Sequence, residues 1–272
     1  MDLSALPRAG ALSPRACAER WRPGLASALH SEIFAPGNEG SGAAAALALA
    51  LDALQASPLP LRGEGGVLGA GGDAQPQPPH TPTQPYPQGG GARQLEDGRA
   101  VLWVQDRAAL RLTGRPYGPG LPAALRRRVI HVAAATPEDA LFALEEGLRC
   151  RELACVIGEI AGNPKALDFT ASRRLSLAAE RHGVPLLLVR LDAARDLSAA
   201  RMRWQVAAAP SPPPRWNADA PGVPAWRAEL FRARAYPPGE WILLGDGAEL
   251  SAGPSTGSGR AEIGAVSRGR SC

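Results

Sequence analysis

Residues Gly37-Asn38-Glu39-Gly40-Ser41-Gly42-Ala43-Ala44 decide how this chain is read. They keep the frame of a phosphate-binding loop, G-x-x-x-x-G-K-[ST], and replace its two chemical residues. The frame asks for a lysine at position 43 to reach the β- and γ-phosphates, and a hydroxyl at 44 to hold magnesium. Both positions are alanine, and Lys165 is the only lysine in the chain. Gly37, Gly40 and Gly42 can still shape an anion-binding turn at a helix N-terminus. Phosphoryl transfer should nevertheless lose several orders of magnitude without the charged contacts. A cradle stripped of its chemistry favours an accessory or scaffold protein over an ATPase, and implies no cofactor.

Outward from the loop, strand and helix signals alternate. Glu32 to Phe34 reads as a short strand leading into the loop, and Gly42 to Ala56 as the helix after it. Ala100 to Val104 is a continuous apolar run, as a strand buried on both faces requires. Val129 to Val132 is a shorter run of the same kind. Thr136 then offers an N-cap, Pro137 stands at the first helical position, and Glu138 and Asp139 favour the positive end of the dipole. Leu141, Leu144 and Leu148 follow on one helical face. Leu153 to Ile157 reads as a strand ending at Gly158-Glu159. A helix from Thr170 to His182 stops at Gly183, and Val184 to Val189 is another buried strand. Arg203 to Ala208, Trp226 to Ala233 and Trp241 to Leu244 read as strands of an antiparallel sheet edge. The pattern predicts an α/β fold with a mostly parallel sheet flanked by helices and antiparallel strands toward the C-terminus.

At 272 residues the chain can bury one α/β core with appendages. The expected organisation is one domain over residues 1–250, a disordered insertion at 57–98 and a disordered tail at 251–272. In the insertion, 18 of 42 residues are Pro or Gly, too few apolar groups to offset ordering entropy; a proline-rich docking site is the alternative. The longest apolar stretch, Gly42 to Leu54, is too short to span a bilayer, and the first ten residues lack a secretion pattern. A cytoplasmic location without membrane contact is expected. Cys17, Cys150, Cys155 and Cys272 complete no zinc pattern and read as reduced thiols. The net charge of +4 is carried almost wholly by arginine, a residue suited to phosphate; a biased, GC-rich composition explains it equally.

Several ordered stretches resemble the ImuA family, RecA-like accessory proteins of bacterial SOS mutagenesis. They are the strand and loop of His30 to Gly37, Ala100 to Asp106, and Thr136 to Cys150 leading into Leu153 to Glu159. The set continues with Leu167 to Glu180 running into Gly183 to Arg190, Ser198 to Ser211, Trp226 to Arg234 and Pro238 to Trp241. The resemblance implies a RecA-like P-loop NTPase fold. It also implies a place in an error-prone translesion synthesis complex with an ImuB-like protein and an error-prone DNA polymerase subunit, with RecA a further candidate partner. The family is related to SulA, so a division inhibitor that binds FtsZ is the competing reading.

Against the RecA-like pattern, Arg107 stands where a water-activating glutamate is expected, and arginine cannot act as a base. Glu159 is either an acidic remnant of a magnesium site or a solvated strand end. Arg195, Arg201 and Arg203 follow a strand where RecA-like proteins place a DNA-contacting loop, so they are candidate contacts to single-stranded DNA or a partner. Trp204 either stacks on a base or packs the core. Trp216, Trp226 and Trp241 are candidate exposed anchors for a protein partner; the alternative is that Trp226 and Trp241 pack the sheet. No ATP hydrolysis is expected.

Overall fold

The computed structural model describes residues 19–25, 27–56, 98–214, 217, 219–245 and 250–253. The tract 57–97, Trp216, Cys17 and residues 254–272 lie outside them, and with them most of the expected insertion and tail.

Nine strands form one sheet in the order β3-β2-β4-β5-β1-β6-β7-β8-β9. β1 (His30–Ala35), β2 (Ala100–Asp106), β3 (Val129–Ala134), β4 (Leu153–Ala161), β5 (Leu186–Leu191) and β6 (Met202–Ala208) run parallel. β7 (Ala225–Ala233), β8 (Gly239–Gly245) and β9 (Leu250–Gly253) complete the sheet by antiparallel pairing. The predicted α/β class and the parallel-then-antiparallel order hold. One strand is corrected: β6 pairs parallel with β1, Ile33 opposite Trp204, and only its other edge is antiparallel. β9 begins at Leu250, so residues 251–253 belong to the sheet.

Helices α1 (Ser41–Ala56) and α2 (Arg107–Thr113) lie on one face, and α3 (Pro137–Arg149) and α4 (Phe169–His182) on the other. α3 starts as its sequence dictates: Thr136 Oγ1 accepts the Asp139 N–H at 3.1 Å. Asp168 caps α4, and Gly183 ends it in the left-handed conformation at φ 70°. α2 is an addition to the predicted elements. Asp106 caps it by accepting the Ala109 N–H at 2.6 Å.

The core has two parts because the sheet is covered on both faces. Beneath α3 and α4, Leu144, Leu148 and Leu175 pack on Val104, Val156, Leu186 and Leu188. Beneath α1, alanines at 45, 46 and 50 let the helix close on Ile33, Val189 and Leu191. Gly42 makes the closest approach, since a Cβ there would stand 2.7 Å from that of Ala35. Under the antiparallel strands this layer continues as a tryptophan cluster. Trp21, Trp204 and Trp241 meet edge to face with ring centroids 4.7 to 5.7 Å apart, an arrangement that adds to simple burial. Among the described residues no helix is long and apolar enough to cross a membrane.

Candidate functional site

The carboxyl ends of parallel strands are where open α/β sheets bind ligands. The degenerate loop lies there, bridging β1 and α1 over residues 36–40. Its first glycine is already engaged. The Gly37 N–H donates to Asp192 Oδ1 at 2.8 Å. Asp192 follows β5 and is held at φ 50°, a conformation that aspartate tolerates better than most residues. A Cβ at Gly37 would lie 2.4 Å from Asp192 Oδ2 and 2.9 Å from Leu112, so the contact needs glycine. A second carboxylate fixes the loop from its other side: Glu39 Oε2 accepts the Ala208 N–H, at the end of β6, at 2.7 Å. Ala43 is half-buried and Ala44 exposed; neither side chain carries a donor. The turn offers an anion a helix N-terminus flanked by carboxylates, and no cation.

A second polar cluster lies at the ends of β2 and β4. β4 runs on to Ala161, so Glu159 is inside the strand and buried, which corrects the solvated-end reading. Its carboxylate accepts Trp103 Nε1–H at 2.6 Å and the Thr113 hydroxyl at 2.9 Å. Burial pushes its pKa up, against the pull of these donors, and nearby Asp106 adds to the rise. The neighbouring Gln105 contacts His131 Nε2 at 2.8 Å and donates to the Gly114 carbonyl at 2.9 Å. Arg107 is the first residue of α2, one place beyond the buried Asp106. Asp106 was not singled out in the sequence; an aspartate before Arg-Ala-Ala-Leu is the capping signal that could have found it. Among the described residues no cluster of three or more His, Cys, Asp or Glu could hold a metal ion.

The three candidate arginines do not form one exposed patch. Arg203 is only 4% exposed. Its Nε–H donates to Glu32 Oε2 at 2.7 Å and its Nη2 to the Asp196 carbonyl at 2.7 Å. Arg190, also buried, approaches Glu32 Oε1 at 3.8 Å, and the Ser198 hydroxyl donates to the same oxygen at 2.8 Å. Arg195 pairs with Glu229 at 2.7 Å and stacks 3.9 Å over the Phe231 ring. Arg201 pairs with Glu180 at 2.7 Å. Trp226 and Trp241, expected as exposed anchors, are each 6% exposed and face the core, as does Trp204. A period-two pattern gives a strand's two faces but not which of them is covered.

No family model matches the chain. It is similar to the protein named Protein ImuA from two strains of Caulobacter vibrioides, at 39% identity over 156 residues. The match covers 54% of this chain, and the chain spans 60% of the length of those relatives. That likeness to Protein ImuA extends over about half of this chain.

Proposed function

We propose that this chain is a non-catalytic accessory protein of damage-induced mutagenesis, built on a RecA-like form of the P-loop fold. It serves as an adaptor between an ImuB-like protein and an error-prone DNA polymerase. Its likeness to Protein ImuA supports the mutagenesis role. The single observation that carries the non-catalytic reading is the loop: the Gly37 amide is held by Asp192 while positions 43 and 44 are alanine. A nucleotide phosphate would have to displace a carboxylate and would find no lysine to compensate. The RecA-like assignment draws on the loop between β1 and α1, the helices on both faces and the antiparallel strands at the end. Protein binding is favoured over DNA binding because Arg195, Arg201 and Arg203 are all engaged within the chain.

Two measurements test the proposal. Purified chain should turn over ATP no faster than a mock preparation. Turnover that scales with the chain and disappears in Gly37→Ala would overturn the non-catalytic reading. Affinity capture of the tagged chain from DNA-damaged cells should recover an ImuB-like protein or the error-prone polymerase. Recovery of FtsZ without either would replace the proposal with the division-inhibitor reading.

A further inference from the structure

A groove of about 490 Å³ opens between α4, the segment joining β5 to β6 and the end of β7. One wall is the outer face of α4. Phe169, Arg173 and Leu177 recur there at four-residue spacing, which places them in line on one helical face. Phe169 is 41% and Leu177 53% exposed. Arg232 and Arg234 stand on the opposite wall. Toward the floor, Ala200 is buried, and the buried Ser176 is engaged by His30 Nδ1 at 2.6 Å.

The charge on this groove is one-sided. No carboxylate lines it. Arg201 is neutralised by Glu180, but Arg173, Arg232 and Arg234 are exposed, and none has an ion pair or side-chain hydrogen bond among the described residues. Three uncompensated cations therefore meet on one groove in a chain whose whole net charge is +4. Arginine and exposed aromatic side chains are the groups that anchor protein interfaces, and complementary charge fixes register and partner choice.

We propose that this groove docks an acidic segment of a partner protein, with bulky apolar side chains set against Phe169 and Leu177 and carboxylates on Arg173, Arg232 and Arg234. The proposal rests on the adaptor reading above and gives it a surface. Single-stranded nucleic acid fits less well. It calls for a basic track along several nucleotides with successive aromatic platforms, whereas the groove is short and Phe169 is its one aromatic residue.

The probe is a fluorescein-labelled twelve-residue peptide of Asp and Glu carrying two Leu, read by fluorescence anisotropy with the full chain. Its charge-reversed Lys counterpart and a labelled oligothymidine of equal length are the controls. Saturable binding of the acidic peptide is expected. It should weaken about tenfold or more in the double variant Arg232→Glu, Arg234→Glu, and severalfold in Leu177→Ser. Arg149→Glu, on α3, should leave it unchanged. These side chains are exposed, so the variants should unfold at the wild-type temperature. Absence of saturation, equal binding by the double variant, or displacement of the peptide by oligothymidine would each overturn the proposal. A second readout separates it from the adaptor reading: damage-induced mutation frequency in a host lacking its own ImuA. If the wild-type chain fails to restore mutation, the adaptor reading falls and the peptide measurement still decides the groove. If wild type and double variant restore it equally, the adaptor reading stands and the groove is not its partner surface.

Discussion

On the β3 side of β1 the sheet is sandwiched between helices, and on the β9 side it is covered on one face only. The strands record the difference. All six residues of β5 and the first eight of β4 are buried, whereas β7 and β8 alternate between buried and more exposed positions. In β2 and β4, the buried strands of the sandwiched half, a polar residue has nowhere to reach water, so Glu159 and Gln105 find partners inside the fold. In the one-sided half polar residues take the open face: Arg195 lies over Phe231 and pairs with Glu229. The two halves meet where helical cover stops, and three buried charged residues meet there: Arg190 on β5, Glu32 on β1 and Arg203 on β6. Change of cover, more than strand identity, decides where charge is placed in this molecule.

The seam should be the most fragile point. Glu32→Ala would leave Arg190 and Arg203 buried without their shared carboxylate, and should lower stability by about 3–5 kcal/mol in urea unfolding. A loss below about 1 kcal/mol would mean the seam is hydrated. Next comes the one-sided half, where Trp241→Ala opens a cavity against Trp21 and Trp204 and should cost about 3 kcal/mol. Phe142, in the sandwiched half but 67% exposed on α3, supplies the contrast: Phe142→Ala should change stability by no more than about 0.5 kcal/mol. If the two costs were alike, cover would not be the deciding variable.

His30 tests the seam by pH. It is fully buried, and burial, reinforced by Arg203, lowers its pKa from 6.5 to about 3. A group whose folded pKa is depressed adds stability above its unfolded pKa and loses it as pH falls. Stability should therefore decline from pH 6.5 toward pH 3, by up to about 1.4 kcal/mol per pH unit from this residue. His30→Gln should flatten that slope; an unchanged slope would assign it to other groups. The smallest effect is local: Thr136→Ala should cost about 1 kcal/mol through loss of the α3 cap.

What could be read from sequence follows the range of the interactions involved. α3 was legible because Thr136, Pro137, Glu138, Asp139 and its leucine spacing all act within one or two turns. β2, β4 and β5 were legible from their continuous apolar runs, with β5 displaced by two residues because Val184 and Pro185 precede it. α2 is only seven residues long and offers little periodicity. The parallel sense of β6 depends on pairing with β1, some 170 residues earlier, and no local pattern encodes that choice. The site divides likewise. The loss of Lys and Ser/Thr was visible at once, but its occupation by Asp192 joins residues 155 apart. The burial of Arg203, Trp226 and Trp241 depends on which face of a strand is covered, which alternation alone leaves open.

The tryptophan cluster has a consequence for how the chain is made. Trp21 meets Trp241 edge to face, and Arg20 donates to the Glu240 carbonyl at 2.8 Å across 220 residues of sequence. On the ribosome, at about 5–20 residues per second, Trp21 must wait roughly 10–45 s for that partner to be synthesised. For that interval one of the largest apolar side chains of the core is without its seat. The segment before β1 is thus the first part of the described fold to be made and among the last to be locked, leaving it open to chaperone capture and proteolysis until β8 arrives.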